Sequence, residues 1–258
     1  LDYAGDHKSF HRLDVFRRRD AGEDGSPRPV LLYLHGGAWT IGDKREQGLP
    51  MMHHLAEKGA VCFTANYRLS PRATWPAHLD DCRQALDWVR EHAQDYGGDP
   101  DRIVVAGGSA GGHLAALLAL SPGGPPVAGC IGLYGVYDFT DAETGHTPQL
   151  LRLLERRVMK QLRVDQAAIY AEASPRSHVH ADAPPFLLVH GRNDTLVPVS
   201  TARAFVAALR EVSKVPVAYV ELPFTQHAFD IFWSPRTAAA AAAAEAFVFA
   251  RTSTARQA

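Results

Sequence analysis

Ile103-Val104-Val105-Ala106-Gly107-Gly108-Ser109-Ala110-Gly111-Gly112-His113-Leu114 is the stretch on which the reading of this chain turns. Its first four residues form an apolar run suited to a buried strand, and residues 115–120 strongly favour helix. Between them stand two glycines and a serine. Gly107-x-Ser109-x-Gly111 thus lies where a strand passes into a helix through a sharp turn. This is the setting of a nucleophile elbow, in which a strained serine presents its hydroxyl above the sheet. Gly107, Gly111 and Gly112 leave the space such a turn needs. A helix beginning at Ala110 aims free N–H groups and a positive dipole end at the same spot. The pentapeptide alone equally fits a glycine-rich βα turn in any doubly wound sheet.

On both sides of this stretch, strands and helices alternate. Residues 11–17 alternate apolar and polar, as a half-buried edge strand does. Residues 30–34, 60–65, 127–134 and 186–190 are near-continuous apolar strands of the kind buried on both faces of a parallel sheet, and 217–222 is the last strand. Helical spacing covers 44–58, 76–96, 201–212 and 238–250. The pattern predicts an α/β fold: a mostly parallel central sheet with helices on both faces, forming one domain over residues 1–258. Residues 141–183 interrupt the rhythm. The amphipathic helix read at 150–162 makes this insertion either a small cap over the C-terminal edge of the sheet or a surface crossover.

Composition narrows the class. The 258 residues are 46% hydrophobic and 21% charged, with a formal net charge of −1, as suits a sizeable core. Nothing in that balance points to nucleic acid or an anionic membrane. No apolar run approaches a membrane span and no signal peptide is visible, although the chain begins at Leu1 and not at Met. The compartment therefore stays open, cytoplasmic by default. Cys62, Cys82 and Cys130 fall in apolar segments and are expected to be buried free thiols.

In parallel α/β sheets the loops at the strand C-termini build the site, and four such loops carry reactive or donor groups. Ser109 is the candidate nucleophile and needs a base within hydrogen-bond reach. Of the 13 histidines, His227 stands apart because it follows the last strand and precedes Phe229, Phe232 and Trp233. A carboxylate must orient the imidazole. Asp194, after the penultimate strand, fills that place; Glu221 is its rival but sits too close to His227 in sequence. The order Ser109, Asp194, His227 is the Ser…Asp…His order of α/β-hydrolases. His35-Gly36-Gly37 offers backbone donors for an oxyanion, so Gly36, Gly37 and Ala110 are expected to form the hole, each donor worth about 3 kcal/mol. His35 braces that loop. Trp39 either lines an acyl pocket or anchors the loop. Arg68 is read as pairing with Asp80 or Asp81. His178-x-His180 and His53-His54 lack a converging third ligand, so no metal and no cofactor is expected.

Together, His35-Gly36-Gly37-Ala38-Trp39, Asn66-Tyr67-Arg68-Leu69-Ser70-Pro71, Pro76-Ala77-His78-Leu79-Asp80-Asp81, Gly107-Gly108-Ser109-Ala110-Gly111-Gly112, Asp194 in Gly-x-x-Asp-x-x-Val-Pro and Gln226-His227-Ala228-Phe229 resemble the hormone-sensitive-lipase-like branch of the α/β-hydrolases. The similarity is to bacterial carboxylesterases and lipases. It implies a serine hydrolase that cleaves small carboxylic esters through an acyl-enzyme. The alternatives are an amide hydrolase using the same triad and a non-catalytic binding protein on the scaffold. Two departures stand out: Ala38 replaces the family's third glycine, and Gly108 replaces the acidic residue often found before the nucleophile. With the first strand starting near Leu1, the branch's N-terminal cap helices are not expected here, and short-to-medium acyl groups are.

Overall fold

A computed structural model describes residues 1–21, 26–121, 124, 126–140 and 146–253. Seven strands form one sheet: β1 (Leu13–Phe16), β2 (Arg28–Leu34), β3 (Val61–Ala65), β4 (Gly98–Gly108), β5 (Gly129–Leu133), β6 (Phe186–Gly191) and β7 (Val217–Leu222). Their order across the sheet is β1-β3-β2-β4-β5-β6-β7; β1 runs antiparallel to β3 and every other pairing is parallel. The α/β fold with a mostly parallel sheet is the one the alternation predicts.

Side-chain alternation divides the core in two. Val30, Leu32, Leu34, Phe63 and Val105 face α2 (Ala77–His92), α3 (Ala110–Leu120) and α6 (Val199–Val212). Leu31, Tyr33, Cys62, Val104, Ile131 and Leu133 face α1 (Leu49–Glu57) and α7 (Pro235–Ser253). Because each inner strand is buried on both faces, it carries no polar period, which is why these strands read as apolar runs. Cys62, Cys82 and Cys130 are buried and free.

Two helices differ from their sequence expectation. The segment 44–58 turns helical only at Leu49. Gly48 sits in a left-handed conformation at φ 71°, which ends the preceding turn, and a proline opens the helix. The helix expected at 150–162 is shorter and starts earlier. Thr147 caps α4 (Pro148–Leu153) by accepting from the Leu150 N–H at 3.2 Å, and the chain then widens into a π-type turn over Leu154–Val158. Residues 141–145, the start of the expected insertion, lie outside the described residues. After α5 (Ala167–Glu172) the insertion rejoins the body through β6.

His113 on α3 is one of the residues that tie the insertion to the body. Its Nε2–H donates to the Ala173 carbonyl at 2.7 Å, and its Nδ1 accepts from Trp39 Nε1 at 3.2 Å. Indole nitrogen is only a donor, so Nδ1 must be bare and the imidazole neutral. Phe139 stacks on the ring at 4.7 Å. Burial pushes the His113 pKa down to about 3, against the hydrogen bond to Ala173, and burial likewise pushes His78 down to about 4.

An unfolded histidine titrates near about 6.5. Below that pH the unfolded chain binds protons that folded His113 and His78 refuse, so stability rises with pH across this window and falls as pH drops. The melting temperature should therefore decline between pH 7 and pH 5, above the carboxylate range. His113→Phe should show a smaller decline, measured by thermal unfolding across that interval. An unchanged slope in the variant would remove His113 from this account.

Candidate active site

Ser109 turns the chain from β4 into α3 at φ 53° and ψ −119°. A non-glycine residue at such an angle costs on the order of 1–3 kcal/mol and persists only where its surroundings enforce it. Here they do. The Ser109 N–H donates to the Leu133 carbonyl at 2.9 Å, and the Ser109 carbonyl accepts the first bond of α3 from His113 N–H at 3.1 Å. Backbones meet without side chains between them: a Cβ at Gly111 would stand 2.0 Å from the Leu34 oxygen, and one at Gly107 would stand 2.4 Å from Gly111. The serine hydroxyl is thus held above the C-terminal end of β4.

The three residues selected from sequence converge there. His227 Nε2 lies 2.9 Å from Ser109 Oγ, and its Nδ1 lies 2.7 Å from Asp194 Oδ2. Asp194 has a side chain with no exposed surface, and that of His227 is 11% exposed. The carboxylate is saturated with donors. Oδ1 accepts the N–H groups of Leu196 and Val197, both at 2.9 Å. Oδ2 faces His190 Nε2 at 3.3 Å in addition to His227. Burial by itself would raise the Asp194 carboxyl; the hydrogen bonds from His190, His227 and Val197 hold it well below the usual carboxylate range. An ionised carboxylate on Nδ1–H leaves Nε2 bare, free to accept the serine proton. The rival Glu221 is taken up by Arg203, whose Nη2 and Nε reach it at 2.6 and 2.8 Å.

The oxyanion donors come out differently from expectation. The Gly36 N–H donates to Gln47 Oε1 at 2.7 Å, so that hydrogen is already engaged, although Gly36 lies against Ser109. The N–H groups of Gly37 and Ala110 have no acceptor among the described residues, and Ala110 is the first residue of α3. Gln47 was hidden from sequence reasoning because its segment read as continuous helix. His35 braces the loop as expected: its ring stacks on Tyr67 at 4.4 Å, and the Tyr67 hydroxyl donates to its carbonyl at 2.8 Å.

Trp39 does not line an open pocket. It is 1% exposed, donates to His113 and packs edge-on against Phe139 at 5.5 Å, so it anchors the loop and has no face left for a substrate. Arg68 holds Asp81, not Asp80, through Nε at 2.9 Å and Nη2 at 2.5 Å. His54 pairs with Glu245 at 2.7 Å, and His178 Nε2 meets the Glu172 carbonyl at 2.8 Å.

His190 is the residue at this site whose role the sequence understates. It is buried, its Nε2 lies 2.9 Å from the Val197 carbonyl, and its Nδ1 has no partner among the described residues. A carbonyl only accepts, so Nε2 carries the hydrogen and also offers it to Asp194. His190→Phe removes that donor from a buried carboxylate. It should lower stability by about 1–3 kcal/mol in urea unfolding and slow the reaction of Ser109 with a fluorophosphonate. Wild-type values for both would show that Asp194 does not depend on it.

A model of the BD-FAE family matches residues 13–209. The chain is 51% identical over 255 residues to the probable carboxylic ester hydrolase LipM of Mycobacterium tuberculosis, a match covering 95% of this chain and 59% of that protein. It therefore spans about three fifths of the length of this curated relative. Among solved structures, Thermogutta terrifontis Est2 with butyrate bound superposes with a TM-score of 0.77 at 25% identity, covering 92% of this chain and 88% of that one. Esterase 2 from the same organism, phosphonylated by sarin, gives 0.79 at 26% identity, covering 92% and 89%.

Proposed function

The chain belongs to the BD-FAE family of α/β-hydrolases, and from that premise we propose that it hydrolyses carboxylic esters through an acyl-enzyme formed on Ser109. The observation that carries this is the unbroken line from Asp194 Oδ2 through His227 to Ser109 Oγ, at 2.7 and 2.9 Å. Names of relatives support it: LipM is described as a probable carboxylic ester hydrolase, and the Thermogutta terrifontis protein as an esterase.

In this reading His227 Nε2 takes the proton of the Ser109 hydroxyl as Oγ bonds to the ester carbonyl carbon. The carbonyl oxygen becomes the oxyanion and accepts the N–H groups of Gly37 and Ala110, each donor worth about 3 kcal/mol of transition-state stabilisation. Asp194 stabilises the imidazolium without taking its proton. The imidazolium then protonates the departing alkoxide. Water, deprotonated by the same nitrogen, attacks the acyl carbon; the carbon–Oγ bond breaks, the carboxylic acid leaves, and the imidazolium returns its proton to Ser109 Oγ. No step uses the Gly36 N–H, which stays on Gln47.

Ser109→Ala is expected to fold and to show ester hydrolysis near background, since a methyl group fits the elbow. Asp194→Asn should lose about four orders of magnitude in kcat, while Glu221→Gln, already engaged by Arg203, should stay near wild type. Full activity of Ser109→Ala, or the reverse ranking of the carboxylates, overturns the assignment. A matched amide that outpaces its ester would make the enzyme an amide hydrolase on the same triad.

The Thermogutta terrifontis relative is described with butyrate bound, and Trp39 adds no open apolar wall to this site. Each methylene buried adds about 0.8 kcal/mol until the pocket ends. Along a p-nitrophenyl ester series, kcat/KM should rise from acetate and stop rising by about hexanoate. A value still climbing at laurate would refute the short-to-medium preference.

A further inference from the structure

Asp230 is a buried carboxyl that the triad does not use. It lies three residues past His227, is 2% exposed, and accepts a hydrogen bond on Oδ1 from the Tyr134 hydroxyl. Its Oδ2 has no hydrogen-bond partner among the described residues, and neither has the buried Tyr33 hydroxyl. These two groups lie close enough to alter each other's ionisation. A buried polar cluster of this kind is costly unless its members are paired.

Tyr134 joins this cluster to the catalytic residues. It directly follows β5 at φ 39°, its N–H donates to the Val189 carbonyl at 2.8 Å, and its neighbour Leu133 accepts the Ser109 N–H. The Tyr134 ring meets the His227 ring edge-on at 4.7 Å and Phe229 at 5.3 Å. A Cβ at Gly108 would stand 2.7 Å from the Tyr134 hydroxyl. One phenol therefore fills the space between the residue before the nucleophile, the catalytic imidazole and the carboxyl in the loop of that imidazole.

We propose that the Tyr134–Asp230 hydrogen bond is the positioning device for the catalytic base. It pins the loop of His227 from beneath and backs the imidazole with the phenol ring, so that Nε2 stays on Ser109 Oγ. Gly108 is glycine because the phenol occupies the place of its side chain. Tyr134 and Asp230 touch no reacting atom and act through His227. The inference rests on the Ser109–His227–Asp194 reading.

The test is titration of active sites with a fluorophosphonate, followed by the phosphonylation rate and the kcat and KM for an ester per titrated site. Tyr134→Phe keeps the ring and removes the bond; Asp230→Leu removes the acceptor; Asp230→Asn keeps one. Tyr134→Phe and Asp230→Leu should each lower kcat and phosphonylation rate per site by about tenfold or more with KM little changed, while Asp230→Asn stays within about threefold. The double variant Tyr134→Phe/Asp230→Leu should be no slower than the poorer single one. If Asp230→Leu does not fold, slow sites in Tyr134→Phe beside fast ones in Asp230→Asn carry the same conclusion. Wild-type rates per site in Tyr134→Phe overturn the proposal. So do losses that multiply in the double variant, or losses confined to the number of titratable sites, since the last is the mark of a merely structural role. A wild-type protein that the fluorophosphonate does not label would instead end the triad reading.

Discussion

One residue has to reverse the chain between the longest strand of the sheet and the helix that packs on it. Ser109 does so at φ 53°, and the contacts that hold it there leave no room for side chains at 107 or 111. With glycine at both positions, α3 approaches until its first turn touches the Leu34 oxygen at the end of β2. The loop that continues from β2 is thereby brought against the nucleophile, so that a Cβ at Gly36 would stand 3.2 Å from Ser109 Cβ. A larger helix–strand spacing would relieve the serine and, in the same movement, withdraw the backbone donors from its hydroxyl. Strain and donor placement are one geometric condition here.

Around that point, histidines serve as connectors. His113 accepts from an indole and donates to a carbonyl, His190 donates toward a carbonyl and a carboxylate, and His227 bridges carboxylate and hydroxyl. His113 and His227 use both nitrogens on opposite sides of a rigid ring, whereas His190 works through Nε2 alone. His113 is sealed in the core and refuses a proton; His227 keeps an exposed edge beside the Ser109 hydroxyl. Burial and the identity of the neighbours separate these roles, since the side chain is the same.

The strands and the convergence of Ser109, Asp194 and His227 were legible because each leaves a local trace. Strands buried on both faces are apolar runs, and Ser109, Asp194 and His227 sit directly after such runs or in the loop that follows. The elbow is legible through its glycines, whose spacing records the backbone contacts themselves. What was not legible depends on pairings distant in sequence. Nothing near Gln47 announces that its side chain takes the Gly36 N–H, and nothing near Trp39 says that a residue 74 positions away accepts its indole hydrogen. The start of α1 was misplaced because Gly48 overrides the apolar period, and the insertion helix because its last turn widens into a π-type turn. Gly108 looked like a departure from a family pattern; the Tyr134 hydroxyl that fills its side-chain space comes from the far end of β5.

The last strand of the sheet is also its least buried. β7 pairs only with β6, and only its final residue, Leu222, is buried. Yet the chain that leaves it carries His227, which must meet a serine 118 residues earlier. Closing a loop of such length is entropically costly before the contact rewards it. Synthesis from the N-terminus makes Ser109 first, 118 residues before His227. A chain whose last edge is undocked holds Ser109 without His227 beside it. The Ser109–His227 contact exists only where the C-terminal edge has docked, so the constellation reports that this edge is in place.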